Sequence, residues 1–446
     1  MAAVPVGGGG RLSRMSRRVV FGILAAVAVL LIVISRAGSE GQIDGAQPTT
    51  STTSTTPSTT TSSTTTTTST TSTTTTTSTT LPPDVEAIEA LLDSMSDRQI
   101  AQQLVALGAS GPAPADSIAD ALGDPCVGGV FVTKNVGNWQ PAESLDAASG
   151  AIAAVVEAAS DCPAPPFITT DAEPGRRVLK VPVDPLPTPA TLAAGVVDDP
   201  DGAALAVEAG RFAADLATAG VDVNLGVIVD VDAGAGFYMD REGRSFGADP
   251  LVADVLGRAL VDGHCRAGVA PTLKHFPNQG STVEDPHREN SFSVNDFDAW
   301  LELGAVPYLD TDAPLVMTGH IRYEGADDGL PASLSAEITT GWLRESLGYS
   351  GVIITDDLHT MQGVAQFAPA DRGVTAIEAG ADLALYVAAD DAAEVVDAIV
   401  ERMAADPEFA TQARGSAARV LRLKGALGLL PDTEPEWFEL CGASAD

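Results

Sequence analysis

The chain has 446 residues, enough for one large or two medium domains with a sizeable core. Its formal net charge is −35, with 25 Lys and Arg against 60 Asp and Glu, and residues 1–48 are themselves net basic. So acidic a body repels phosphate backbones, which argues against a nucleic-acid partner and fits the solvated surface of an exported protein.

Near the N-terminus, Arg11, Arg14, Arg17 and Arg18 precede an uncharged apolar run from Val19 to Ile34. As a helix the run spans about 24 Å, enough for a bilayer core once Ser35 and its flanks contribute. The basic side stays cytoplasmic and sends the remainder outward. A cleaved signal peptide, which would release a secreted protein, is the competing reading. Arg36 directly after the run and the lack of a small-x-small site favour an uncleaved anchor. Residues 49–80 are Ser or Thr everywhere except Pro57. Such a segment has no apolar surface to offset the entropy of ordering, and reads as a disordered stalk of roughly 30 Å.

Beyond Pro83 short apolar runs alternate with Ala-rich segments of helical character. The runs are Leu104–Ala106, Gly129–Thr133, Phe167–Thr170, Val223–Val231, Ala270–His275, Leu315–Thr318, Val352–Thr355 and Leu383–Val387. Helical patterns cover Ala147–Ala159, Ala203–Ala219, Leu251–Asp262, Glu337–Leu347 and Ala392–Met403. This alternation predicts an α/β fold of the (β/α)₈ TIM-barrel type. An open doubly wound sheet is the rival, but no Gly-x-Gly-x-x-Gly turn follows the first strand. Several runs end in polar groups: Asp171, Asn224 with Asp230, Lys274-His275, His320 and Asp356. A barrel gathers all those strand ends on one face.

The four cysteines are Cys126, Cys162, Cys265 and Cys441. Outside the cell they can pair; Cys126 with Cys162 is the first choice, because they flank neighbouring candidate strands, and Cys265 with Cys441 would then tie down the C-terminal tail. A metal site is a poor reading, since no two cysteines are close and no His cluster accompanies them.

Two stretches carry reactive chemistry. Lys274-His275-Phe276-Pro277-Asn278-Gln279-Gly280 closes an apolar run and is followed by Asp285-Pro286-His287, an imidazole with a carboxylate two residues before it. Gly351-Val352-Ile353-Ile354-Thr355-Asp356-Asp357 puts paired carboxylates at the end of another strand. Of that pair Asp357 is expected to cap the following turn, and Met361 to be core. His320 either lines the site or satisfies backbone groups.

These stretches resemble the Lys-His-Phe-Pro-Gly-His-Gly…Asp-Ser-His and Gly-Val-Ile-x-Thr/Ser-Asp-Asp/Ala-Leu-x-Met motifs of glycoside hydrolase family 3, in its β-N-acetylhexosaminidase branch. Asp171-Ala172-Glu173-Pro174-Gly175-Arg176, Val223-Asn224-Leu225, Arg244-Ser245-Phe246-Gly247, Leu330–Ser335 and Ala379-Gly380-Ala381-Asp382 also match in order, so the resemblance spans roughly residues 85–428. It implies a single catalytic barrel over residues 84–432, with a basic segment at 1–18, an anchor at 19–35, a linker at 36–83 and a tail at 433–446. It further implies a retaining exo-β-N-acetylglucosaminidase acting on cell-wall fragments or other glycans, without metal or organic cofactor. Asp356 would be the nucleophile, His287 the proton donor and Asp285 its orienting carboxylate. Asp171, Arg244, Lys274 and His275 would bind the sugar, with Arg244 as a bidentate donor.

The proton-donor loop departs from the family pattern. Asn278 and Gln279 stand where the family has Gly and His, and Pro286 where it has Ser. Asn278 can adopt the left-handed conformation open to a Gly there, at modest cost. Gln279 keeps hydrogen-bonding ability but cannot titrate. Pro286 removes a hydroxyl and a backbone donor. These departures leave two alternatives, a catalytically impaired barrel that binds surface glycans and a β-glycosidase of different sugar preference.

Overall fold

The computed structural model describes residues 83–109, 114–132, 145–175 and 183–430, together with Thr433, Trp437 and Cys441. The basic segment, the anchor, almost all of the linker, Thr133, Arg176 and most of the tail lie outside the described residues. Among those described, no helix is long and apolar enough to cross a membrane.

Eight parallel strands form the body: β1 (Val105–Gly108), β2 (Gly129–Val132), β3 (Phe167–Thr170), β4 (Val223–Ile228), β5 (Ala270–Phe276), β6 (Leu315–Thr318), β7 (Val352–Thr355) and β8 (Ala384–Tyr386). They run in the order β7-β6-β5-β4-β3-β2-β1-β8. At the seam a parallel bridge joins Ile354 to Leu383, so the sheet is a nearly closed barrel. Buried Asp382 holds that seam by accepting from Ile353 N (2.8 Å) and from Arg344 and Arg419. Every strand residue is buried, because helices cover the outside and side chains fill the inside. That is why the strands read as unbroken apolar runs rather than alternating ones.

The expected helices form with small shifts, as Leu145–Ala158, Ala203–Thr218, Pro250–Arg266, Glu337–Ser346 and Ala392–Ala405. Pro250, Pro369 and Pro407 open helices at the first turn, where a missing N–H costs nothing. Both expected disulfides are present, Cys126–Cys162 with Cα atoms 5.3 Å apart and Cys265–Cys441 at 5.9 Å. Trp437 reinforces the second by donating to the Cys265 carbonyl (2.6 Å).

At the N-terminal end of the barrel, buried Lys424 donates to the carbonyls of Val127 (3.1 Å) and Ala164 (3.5 Å) and to Gln103. Burial lowers its pKa well below the usual lysine range. This amine joins the last helix to the entries of the first three strands.

Two close approaches shape the opposite end. A Cβ on Gly226 in β4 would stand 2.1 Å from the Ala172 carbonyl oxygen, so glycine there lets the segment after β3 lie against β4. Asn224 fixes that segment by accepting from Ala172 N (2.9 Å) and donating to Ala172 O (3.1 Å). Its amide also donates to His264 Nε2 (3.0 Å), while His264 Nδ1 donates to the Leu260 carbonyl (2.7 Å). A buried imidazole thus ties the helix Pro250–Arg266 to the strand ends.

Burial lowers the His264 pKa from 6.5 to about 4, against a smaller opposing effect of the Leu260 carbonyl. The unfolded chain therefore takes up a proton in this window while the folded chain does not. The stability that neutral His264 provides is present above pH 6.5 and lost as pH falls toward 4, by about 1.4 kcal/mol per unit. In urea titrations the advantage of the native protein over His264→Gln should shrink by about 3 kcal/mol across this window. A constant difference would contradict this role.

Candidate active site

The C-terminal strand ends converge on one cluster of charged groups. Asp171 and Glu173 follow β3, Asp230 follows β4, Lys274 and His275 lie in β5, and Asp356 follows β7. All seven residues singled out from the sequence lie on this end, on strand ends or on the loops after β4 and β5.

Lys274 is buried and donates to Asp171 (2.6 Å) and Glu173 (2.9 Å). Arg244, on the loop after β4, grips Glu173 with two donors, Nη2–Oε1 at 2.7 Å and Nε–Oε2 at 3.1 Å. Burial would raise the Glu173 pKa, but Arg244 and Lys274 outweigh it and hold the carboxyl well below its usual range. Desolvation likewise works against Lys274, and Asp171 and Glu173 reverse it, so its pKa rises. The bidentate face of Arg244 is therefore engaged on Glu173 and not free for a ligand, which corrects the sequence expectation. A buried guanidinium needs a carboxylate to offset its lost hydration. Asp171 keeps 26% of its side chain exposed and is the open member of the group.

His275 is oriented by Asp230. Its Nδ1 stands 2.7 Å from Asp230 Oδ2, and its backbone N–H donates to Oδ1 (3.3 Å). A carboxylate only accepts, so Nδ1 carries the proton and Nε2 faces Asp356 Oδ2 across 3.9 Å. Asp356 is mostly enclosed, with 16% of its side chain exposed. Burial pushes its carboxyl up, yet the imidazoles of His275, His320 and His287 and the Asp357 N–H together pull it down to about 2. It is an ionised carboxylate at any ordinary pH.

His320 proves to be a buttress. Its Nε2 donates to the Asp357 carbonyl (2.9 Å), its Nδ1 is bonded to Ser333 Oγ (2.8 Å), and burial lowers its pKa. Asp357 caps the turn after β7, accepting from His359 N (2.8 Å) and Thr360 N (2.9 Å), and also holds Val387 N (3.2 Å). Met361 is core, as expected.

The loop after β5 carries the remaining pair. His287 Nδ1 lies 3.0 Å from Asp285 Oδ1, and the His287 backbone N–H donates to the same oxygen (3.0 Å). Half of the His287 side chain is exposed, so this imidazole stands at the rim. Pro286 between them is buried, which anchors the turn without the hydroxyl the family pattern has. Asn278 does not use the left-handed conformation open to it: its φ is −178°, an extended backbone. Its amide instead accepts from Val231 N (2.9 Å) and donates to Val231 O (2.9 Å), stapling the loop to the end of β4. Gln279 is buried beside Met239 rather than presented to the opening.

Three residues of the site escaped the sequence reading. Glu173 was visible inside its motif but had no role until its two cations met it. Asp230 was noted at a strand end without a partner. Tyr238, whose hydroxyl lies 3.2 Å from His287 Nδ1, carried no signal in the sequence.

Barrel and site together put an ionised carboxylate after β7 and a carboxylate-bound imidazole on the loop after β5 at the same end of a (β/α)₈ barrel. The Glycosyl hydrolase family 3 N terminal domain matches residues 95–423, and the chain belongs to that family. A β-hexosaminidase of Hydrogenovibrio crunogenus is 34% identical over 203 residues, 44% of this chain and 56% of the relative. One from Bordetella avium is 35% identical over 253 residues, 54% of this chain and 70% of the relative. The first of these alignments thus spans little more than half the relative's length. Among solved structures, the β-N-acetylhexosaminidase of Beutenbergia cavernae superposes with a TM-score of 0.67 at 32% identity, covering 74% of this chain and 99% of that one. A family 3 β-N-acetylglucosaminidase from a Paenibacillus gives 0.63 at 28% identity, covering 78% of this chain and 68% of that one.

Replacing Glu173 by Gln keeps its shape and removes the charge shared by two buried cations. Breaking a buried pair in this way costs about 3–5 kcal/mol. Glu173→Gln should lower the urea midpoint accordingly with its slope unchanged; an unaltered midpoint would contradict the role of this carboxylate.

Proposed function

We propose that the chain is a retaining exo-β-N-acetylglucosaminidase. The observation that carries this reading is Asp356, held ionised at about 2 at the end of β7 and within 3.9 Å of His275. Asp356 attacks the anomeric carbon of a terminal N-acetylhexosamine and forms a glycosyl-enzyme bond as the leaving oxygen takes a proton from His287. His287 then removes a proton from water, which attacks the same carbon and frees Asp356. Asp285 holds Nδ1 of the imidazole and stabilises its charged form. Asp171 accepts from sugar hydroxyls, while Lys274, His275 and the donor of Arg244 not bound to Glu173 face the sugar. The names of the related β-hexosaminidases support N-acetylhexosamine as the sugar.

The basic segment, the apolar run at 19–35 and the Ser/Thr stalk support a body tethered outside a membrane, where cell-wall fragments and other glycans are the available substrates. The intact His287–Asp285 pair counts against a catalytically impaired glycan-binding barrel.

A panel of p-nitrophenyl β-glycosides tests the reaction and the sugar together. The N-acetyl-β-glucosaminide should be hydrolysed fastest, and Asp356→Asn should lose about 10³-fold or more of kcat. Since Asp356 stays ionised down to about pH 2, any acid fall of kcat/KM above that belongs to another group. Faster hydrolysis of the glucoside would move the sugar preference, and full activity of Asp356→Asn would remove the nucleophile assignment.

A further inference from the structure

The imidazole of His287 is half exposed on a loop, yet a proton donor must hold one orientation toward the bond it protonates. Its Nδ1 faces two oxygens, Asp285 Oδ1 at 3.0 Å and Tyr238 Oη at 3.2 Å. The carboxylate only accepts, so the Nδ1 proton goes to Asp285, the phenol oxygen is its second partner, and Nε2 is left to exchange protons with substrate. The Tyr238 ring is buried, with its centroid 6.3 Å from that of the imidazole and the planes at 46°. Asp285 belongs to the same loop as His287 and moves with it, whereas Tyr238 reaches His287 from the loop after β4.

The short helix Tyr238–Arg241 grips the His287 loop at two further points. The Tyr238 backbone N–H donates to the Thr282 carbonyl (2.9 Å), and Arg241 Nη1 donates to the Val283 carbonyl (2.8 Å). On its inner side the same helix is held by the Arg244 backbone N–H, which donates to the Met239 carbonyl (3.0 Å); Arg244 is the residue that clamps Glu173. Burial pushes the phenol up to about 12, so the hydroxyl is present throughout the working range. The helix that carries the phenol therefore joins the ion cluster of the barrel to the loop that carries the proton donor.

We infer that Tyr238 is the positioning residue of the proton donor: its hydroxyl fixes the His287 imidazole relative to the sugar site from the short helix Tyr238–Arg241. The inference rests on the proposed glycosidase reaction. General-acid help matters in proportion to the basicity of the leaving oxygen, so a misplaced donor is felt with poor leaving groups and hardly with good ones.

Tyr238→Phe keeps the ring and removes the hydroxyl. With phenyl N-acetyl-β-glucosaminide, kcat/KM should fall about tenfold or more, and with the 2,4-dinitrophenyl glycoside far less, so that the ratio between the two substrates widens. Activity on the dinitrophenyl substrate also reports that the variant is folded. An equal fall on both substrates would assign Tyr238 to packing alone, and no fall on either would make its hydroxyl irrelevant; both results overturn the inference. A native chain that hydrolyses neither glycoside contradicts the proposed reaction itself, and the inference falls with it.

Discussion

Glu173 is a buried carboxylate shared by two buried cations, and the working end of the barrel is organised around it. Its partners come from three successive strands: Glu173 follows β3, Arg244 stands on the loop after β4, and Lys274 lies in β5. Two cations taken out of water are tolerable side by side only because the carboxylate between them is bonded to both. The surrounding backbone serves that condition. Gly226 lets the segment carrying Glu173 close on β4, and Asn224, backed by His264, bonds both polar groups of Ala172 beside it. Position therefore comes from strands and helices, and only the charge comes from the side chains.

A different electrostatic regime governs the opposite wall. Among the described residues Asp356 makes no ion pair with Lys or Arg; imidazoles and a backbone N–H keep it ionised against its burial. An imidazole partner at 3.9 Å, itself held by Asp230, supports the charge without capping the carboxylate as a guanidinium would. Under the proposed mechanism that leaves an oxygen of Asp356 free for the anomeric carbon. β7 and the Asp357 turn hold Asp356, whereas His287 stands on a loop with its imidazole half exposed. Under the proposed mechanism, attack and proton transfer thus fall to an enclosed group on a strand end and an exposed one on a loop, which suits a site that must admit and release a sugar.

Much of this was legible in the sequence, for physical reasons. Parallel strands buried on both faces read as short apolar runs, so all eight appeared within a few residues of their true limits. The place of Asp356 at a strand end was legible because it closes such a run. The disulfides followed from an even number of cysteines near the right elements. What failed to show were relations across the fold. Glu173 lies 71 residues from Arg244, and nothing local says which carboxylate in Asp171–Glu173 takes the guanidinium. Tyr238 lies 49 residues from the imidazole it touches, on a four-residue helix without periodicity. The role of Asn278 did not show because the sequence displays only its backbone tolerance, whereas its amide is used to satisfy Val231.

The central claim is a covalent bond between Asp356 and the sugar. Incubation with a fluorinated N-acetylglucosaminyl donor, which slows hydrolysis of the intermediate, followed by peptide mass spectrometry, tests it directly. The account predicts one added sugar per chain, on the peptide that contains Asp356, and none in Asp356→Asn. Labelling of another residue, or sugar binding with no covalent adduct, would contradict it.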